Sequence, residues 1–210
     1  MKNAQQELPF RAWGGKRKGA GRKRQSPRAN VSHRPRDEFR KGALHVTLRI
    51  RREVWNLRTH RCFRALCRAF GAGCERFGFR LVHFSVQGNH IHMIVEAPDA
   101  EALARAMKGI EVRMARALNK VMNRRGPVFA DRYHAHVLTS PRETANAVRY
   151  VLENWIIHAQ RNAEPVPFGV DPFCSAAVDS GPPLVAEARW WMLCVGVPRV
   201  RSRLAVTIAG

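Results

Sequence analysis

Two histidines separated by one isoleucine stand in a strand-like run, His90-Ile91-His92-Met93-Ile94-Val95-Glu96. On a strand, residues two apart share a face, with Cα atoms about 7 Å apart. Two imidazoles at that separation can converge on one metal ion, and neutral histidine is the commonest metal ligand. His-x-His taken alone describes equally well a pair of half-exposed strand histidines. A second chemical group lies further along. The chain has only two tyrosines, Tyr133 and Tyr150. Tyr150 falls mid-helix in "RYVLENW", four residues before Asn154, so the two share a helix face. That face lies largely off the expected core stripe of Val148, Val151, Leu152, Trp155 and Ile156. A tyrosine so placed can serve as a nucleophile with the amide reaching the same site. It can equally be a rim tyrosine.

The elements that must position these groups follow from hydrophobic period. Val46, Leu48 and Ile50 alternate with polar residues and predict a strand over 45–51. Phe63, Leu66, Cys67, Phe70, Cys74 and Phe77 recur at three and four, predicting a helix over about 57–77. A hairpin follows: strand 79–86, turn Gln87-Gly88-Asn89, strand 90–96. Val82, Phe84 and Val86 are expected to form core with Ile91, Met93 and Val95, leaving His90 and His92 on the opposite face. A long helix over about 100–124 carries the stripe Leu103, Met107, Ile110, Met114, Leu118 and Val121. His134–Leu138 reads as a short strand. Ser140, Pro141 and Glu143 open a last helix to about His158 with a capping box. The order is the split βαββαβ pattern with an added C-terminal helix. It predicts an α+β fold, a ferredoxin- or RRM-like antiparallel sheet with helices packed on one face, plus the helix that carries Tyr150.

Composition sets the partner. Lys+Arg number 37 against 16 Asp+Glu, a net charge of +21. A protein this basic usually meets a polyanion, and nucleic acid is the first candidate. Residues 1–42 have no apolar period and are rich in Lys, Arg, Gly and Pro, so they read as a basic, disordered DNA-binding arm. Its "GGKRKGAGRKR" resembles an AT-hook without an Arg-Gly-Arg-Pro core. Lys16, Arg17, Lys18, Arg22, Lys23 and Arg24 are its candidate phosphate contacts, and a minor-groove role is the alternative. Residues 43–160 form the expected domain. The extension 161–210, with Trp190 and Trp191, is expected to pack on it or be partly disordered, and its role is unknown. No run is long and apolar enough to span a membrane, and the N-terminus lacks an apolar secretory core. The five cysteines form no CxxC pair and read as reduced. The expected location is the cytoplasm, in association with the nucleoid.

The stretches "VHFSVQGNHIHMIVEAPD", "LARAMKGIEVRMARALNK" with "GPVFADRYHAHVL", and "AVRYVLENWIIHA" resemble, in order and spacing, the single-tyrosine HUH transposases. The resemblance is especially to the REP-associated tyrosine transposases, over about 43–160. It implies that His90 and His92 are metal ligands, that Tyr150 is the nucleophile, and that Asn154 stands where the family places a third polar ligand. Trp155 departs from the family, where many relatives carry Pro. The resemblance implies a transposase acting on single-stranded, hairpin-containing DNA. Tyr150 would attack the scissile phosphorus to give a 5′-phosphotyrosine and a free 3′-OH, which can later reseal the strand. A phenol has a pKa of about 10 and is a poor nucleophile without help. A divalent cation supplies that help by polarising the phosphate; Mg²⁺ or Mn²⁺ suits two imidazoles and an amide, and Mn²⁺ tolerates imidazole better. A homodimer is compatible with this reading.

Other residues carry weaker expectations. Lys108, Arg113, Arg116, Arg132 and Arg149 are candidate phosphate grips or a solvated basic face. Glu96 reads as a solvated edge carboxylate or a ligand-orienting group, and Gln87 and Asn89 as turn residues or supports of the first histidine. His134 and His136 read as a DNA-facing strand more than as a second metal site, and Tyr133 is the fallback nucleophile. The competing functions are a non-catalytic nucleic-acid binder and a hydrolytic metal-dependent nuclease. An RRM-type binder stacks bases on sheet aromatics, and "HIHMIVE" has none.

Overall fold

The computed structural model describes residues 39–161, 163–165, 168–177 and 183–199. The arm residues Lys16, Arg17, Lys18, Arg22, Lys23 and Arg24 lie outside the described residues. The elements run β1 (Arg40–Arg49), α1 (His60–Gly71), β2 (Glu75–Arg76), β3 (Phe79–Val86), β4 (His90–Asp99), α2 (Ala100–Val121), β5 (His134–Leu138) and α3 (Pro141–Arg161). A 3-10 turn (Ser175–Ala177) and a π-helical turn (Met192–Gly196) follow. Five strands form one antiparallel sheet in the order β2-β3-β4-β1-β5. Among the described residues, no helix is long and apolar enough to cross a membrane.

Each helix begins where a side chain satisfies an orphan N–H. Thr59 Oγ1 accepts from Cys62 N–H at 3.3 Å and opens α1. Asp99 Oδ1 accepts from Ala102 N–H at 2.7 Å and opens α2. Ser140 Oγ accepts from Glu143 N–H at 3.2 Å, and Glu143 Oε2 reaches back to Thr139 N–H at 2.7 Å, opening α3. The helix α1 is shorter than its apolar period suggests. It ends at Gly71, a Cβ on Gly73 would stand 2.9 Å from Ile110 of α2, and the chain turns into β2. Phe77, expected in the helix core, is 70% exposed in the left-handed region (φ 53°) beside Gly78 (φ 79°).

The sheet is covered on both faces. On one, Leu44, Val46, Leu48, Ile91, Met93 and Val95 pack against Leu66 and Phe70 of α1 and Leu103, Met107, Ile110 and Met114 of α2. Full burial of each such side chain contributes about 1.5–3 kcal/mol. On the other face, Ala43, Ile94 and Leu138 pack against Val148 and Val151 of α3. So α1 and α2 share one face, as expected, and α3 lies across the opposite one. Val82 is a correction. A register shift between Leu81 and His83 inserts it as a bulge residue, and it joins Ile94 rather than Phe84 and Val86. The face of α3 is a second correction. Asn154 is buried at 1% exposure, whereas Leu152, Trp155 and Ile156 are half-buried.

Described parts of the C-terminal extension pack onto β3 and α3. Asp171 takes a bidentate ion pair from Arg58 at 2.9 Å for each contact. Val86 N–H donates to Phe173 O at 2.9 Å, and Ala186 N–H to Leu81 O at 2.7 Å. Leu193 and Val197 join the cluster under α3. Glu96 is the anchor, contrary to its expected place at a solvated edge. It is fully buried, pairs with Arg80 Nε at 2.7 Å, and accepts from the backbone N–H groups of Arg189 and Trp190 at 2.9–3.2 Å.

Candidate active site

The pairing of β1 with β4 sets Thr47 opposite His92 and Arg49 opposite His90, so the polar residues of both strands share the α3 face. Above them lies Tyr150. Its ring centroid is 5.2 Å from that of His92 and 5.9 Å from that of His45, edge-on in both cases. The rings of His90 and His92 are 4.7 Å apart, and His158 of α3 stands 5.7 Å from His90. The sheet and α3 therefore bring His90, His92 and Tyr150 together, with Asn154 one turn along the same helix.

The outer nitrogen of each of the two histidines is already held. His90 Nδ1 bonds to Asn89 Oδ1 at 2.7 Å. His92 Nδ1 lies 3.1 Å from His45 Nε2 and 3.2 Å from Thr47 Oγ1. His92 Nε2 is buried without a partner, as are both amide atoms of Asn154. A buried N–H with no acceptor costs about 1–3 kcal/mol. The favoured tautomer of His92 thus carries its proton on Nδ1 and leaves the Nε2 lone pair available, an assignment made from these partners. Electrostatics agree. Burial, then the charges of His90, His45 and His158, push His92 down to about 3. Burial, then His136 and His134, push His45 to about 4, and burial and His158 lower His90. All three are neutral at pH 7, the form in which imidazole binds metals. Among the described residues no group of three or more His, Cys, Asp or Glu is placed to hold a metal. The donor set here is two imidazoles and an amide, and the unpartnered His92 Nε2 and Asn154 Oδ1 fit a cation.

Other candidates are distributed differently. The helix α2 lies on the far face of the sheet, so Lys108, Arg113 and Arg116 are not brought to Tyr150. Arg113 donates to Gly109 O at 2.9 Å, and Arg132 lines a hollow with Lys108 on that far side. Arg149 is exposed beside Tyr150, with Glu153 at 3.9 Å. Tyr133, the fallback nucleophile, is buried in the α1/α2 core. His134 and His136 are exposed on β5, and His136 Nε2 pairs with Glu143 at 2.7 Å. The sequence reading missed His45, Thr47 and His158. The alternation of His45 and Thr47 with Val46 and Leu48 was a usable signal, since it puts them on the non-core face of β1.

A phenol, two neutral imidazoles and an unpartnered amide on one sheet face suit phosphoryl chemistry. Residues 40–154 match the IS200-like transposase family, and the chain belongs to it. It is therefore a transposase, an enzyme that cleaves and joins DNA. A solved structure described as a REP-associated tyrosine transposase bound to a REP hairpin is similar in fold: it covers 76% of this chain and 100% of its own, at 16% identity and a TM-score of 0.51. A crystal structure assigned as a transposase from Deinococcus radiodurans R1 covers 57% of this chain and 95% of its own, at 15% identity and a TM-score of 0.40. No curated protein matches the chain significantly.

Proposed function

We propose that the protein nicks and rejoins single-stranded DNA through a 5′-phosphotyrosine on Tyr150. The observation that carries this reading is the packing of the Tyr150 ring, 5.2 Å from His92, beside buried and unpartnered His92 Nε2 and Asn154 amide atoms. The phenol oxygen forms a bond to phosphorus as the bond from phosphorus to the 3′-oxygen breaks. The phenolic proton departs to solvent, and the leaving 3′-oxygen gains one to become a hydroxyl. Attack by a 3′-hydroxyl on the phosphotyrosine reverses the exchange. Phosphodiester and phosphotyrosine bonds are similar in energy, so the cycle runs without ATP.

His90, His92 and Asn154 would hold a divalent cation, Mg²⁺ or Mn²⁺, which supplies Lewis-acid polarisation of the phosphate. The chain's own part is positional. Asn89, His45 and Thr47 fix the two rings, and α3 sets the phenol over them. The hairpin bound in the similar transposase structure supports a hairpin-bearing DNA as the substrate here.

The test is a labelled single-stranded hairpin pool incubated with Mg²⁺ or Mn²⁺ and run on a denaturing gel. The wild type gives a retarded protein–DNA band that Tyr150→Phe and His90→Ala both lose. Cleavage without that band, persisting in Tyr150→Phe, would instead mean a hydrolytic nuclease.

A further inference from the structure

Beside the site runs a groove of about 520 Å³, and apart from His90 and Asn89 its walls have no role in the chemistry above. Its walls come from Asn56, the turn residues Gln87 and Asn89, His90, and Trp155 and His158 of α3. We infer that it is a protein-made pocket for one unpaired nucleobase next to the scissile phosphate, with Trp155 as the stacking platform. This rests on the reading of Tyr150 as a DNA nucleophile.

The groove's chemistry suits a base and not a phosphate. The arginine that lines it, Arg58, commits its guanidinium to Asp171 and to Val86 O. Glu164 adds a carboxylate, which repels a phosphodiester. What remains besides the His90 and His158 imidazoles is a flat indole and neutral amides, features with which proteins hold single-stranded bases. Two of the three amides have their oxygens in use: Asn56 Oδ1 accepts from Arg58 N–H at 2.9 Å, and Asn89 Oδ1 bonds to His90. Their NH₂ groups are donors, which can reach the ring nitrogens or carbonyl oxygens that every base presents.

Position and rigidity support the same occupant. His90 belongs both to the groove and to the metal-ligand pair, and Trp155 follows Asn154 directly. A strand whose phosphate lies at Tyr150 thus has its neighbouring base at the groove. The turn is pinned before any ligand arrives. Leu57 N–H donates to Gly88 O at 3.0 Å, Ile50 N–H to Asn89 O at 2.8 Å, and Gln87 Nε2 to Ser85 Oγ at 2.6 Å.

The experiment uses the full chain carrying Tyr150→Phe, so that cleavage cannot consume the probe. The probe is a hairpin oligonucleotide pool with a randomised single-stranded flank containing one 5-iododeoxyuridine, irradiated and mapped by mass spectrometry. The expected crosslink is to Trp155. Trp155→Ala should weaken binding of the same pool by about tenfold, with Trp155→Phe recovering most of it. In the cleaving protein, Trp155→Ala should raise KM more than it lowers kcat. Crosslinks confined to other residues, or none at all, together with unchanged binding by Trp155→Ala, overturn the pocket. The two readings separate cleanly. A Tyr150 adduct at wild-type KM in Trp155→Ala sinks the pocket alone, whereas a Trp155 crosslink with no Tyr150 adduct in the cleaving protein sinks the tyrosine chemistry alone.

Discussion

His45 on β1 and His92 on β4 meet across the sheet, Nε2 to Nδ1, at 3.1 Å. The contact fixes the tautomer and ring plane of the buried histidine beside Tyr150. Outer-shell partners of this kind are worth about 10–100-fold in metal affinity or activity. His45→Ala should therefore weaken Mn²⁺ binding and slow formation of the covalent adduct by about that factor. His45→Asn, which keeps an acceptor for His92 Nδ1–H, should recover part of the loss. Titration calorimetry with Mn²⁺ and adduct kinetics on the two variants check this. Equal, wild-type behaviour of both would remove His45 from the site.

Asn154 offers an opposed pair of effects. Its amide is 1% exposed and neither amide atom has a partner. An unpaired buried polar group costs about 1–3 kcal/mol, so a near-isosteric apolar replacement relieves a penalty. In chelator, Asn154→Leu should raise the thermal midpoint or leave it unchanged, while the protein–DNA adduct disappears. A fall in stability in chelator would show that the amide serves the fold and not a ligand.

How far the sequence disclosed this site depends on the range of the interaction concerned. The strand period put His90 and His92 on one face, and helical spacing put Asn154 with Tyr150; both are local geometry. The same spacing misjudged which face of α3 is inside. It counted Leu152, Trp155 and Ile156 as core, but an amide is buried at Asn154 because that position faces the histidines. His45 was out of reach for another reason. Its place beside His92 depends on β1 pairing with β4 in one register, across 47 residues of chain. Val82 fell to the bulge, which period-2 reading cannot see. Glu96 looked like an edge carboxylate because its partners on the extension stand 93 and 94 residues away.

The burial of Glu96 predicts a specific failure of the extension. Removing one partner from a buried ion pair costs about 3–5 kcal/mol, because the other charge is left unpaired. Glu96→Ala should lower stability by about that much in urea unfolding. It should also expose residues 183–199 to limited proteolysis, since the N–H groups of Arg189 and Trp190 lose their acceptor. Glu96→Gln, which keeps an acceptor oxygen, should be milder on both counts. Loss of stability without new cleavage sites would mean that the extension is held chiefly by Leu193 and Val197.

The histidines make the metal-free protein acid-sensitive well above the carboxylate range. His92 is pushed to about 3 and His45 to about 4, chiefly by burial, against about 6.5 when unfolded. Between these values the unfolded chain binds protons that the folded chain refuses, so stability rises with pH through that window. It is fully present above pH 6.5 and is lost as pH falls toward 4 and then 3. In chelator, the urea midpoint of the wild type should decline from pH 6.5 downward, and His45→Gln should flatten the slope. A wild-type midpoint unchanged between pH 6.5 and 4 would contradict the buried, neutral state of these rings.

The N-terminus of α3, which carries the tyrosine, titrates in a lower window. Glu143 is held down to about 2 by its hydrogen bond from His136, then by the N–H and hydroxyl of Thr139. A depressed carboxyl contributes stability that is present above its unfolded pKa, near 4.5, and disappears as pH falls through its folded value. The group is largely open to solvent, so screening keeps the effect small. Comparing thermal midpoints of wild type and Glu143→Gln between pH 7 and 2 isolates it. The wild type should be the more stable by a constant margin down to about pH 4.5, and the margin should close as pH approaches 2. A margin that survives at pH 2 would mean that Glu143 acts through shape and neutral hydrogen bonding, with no contribution from its charge.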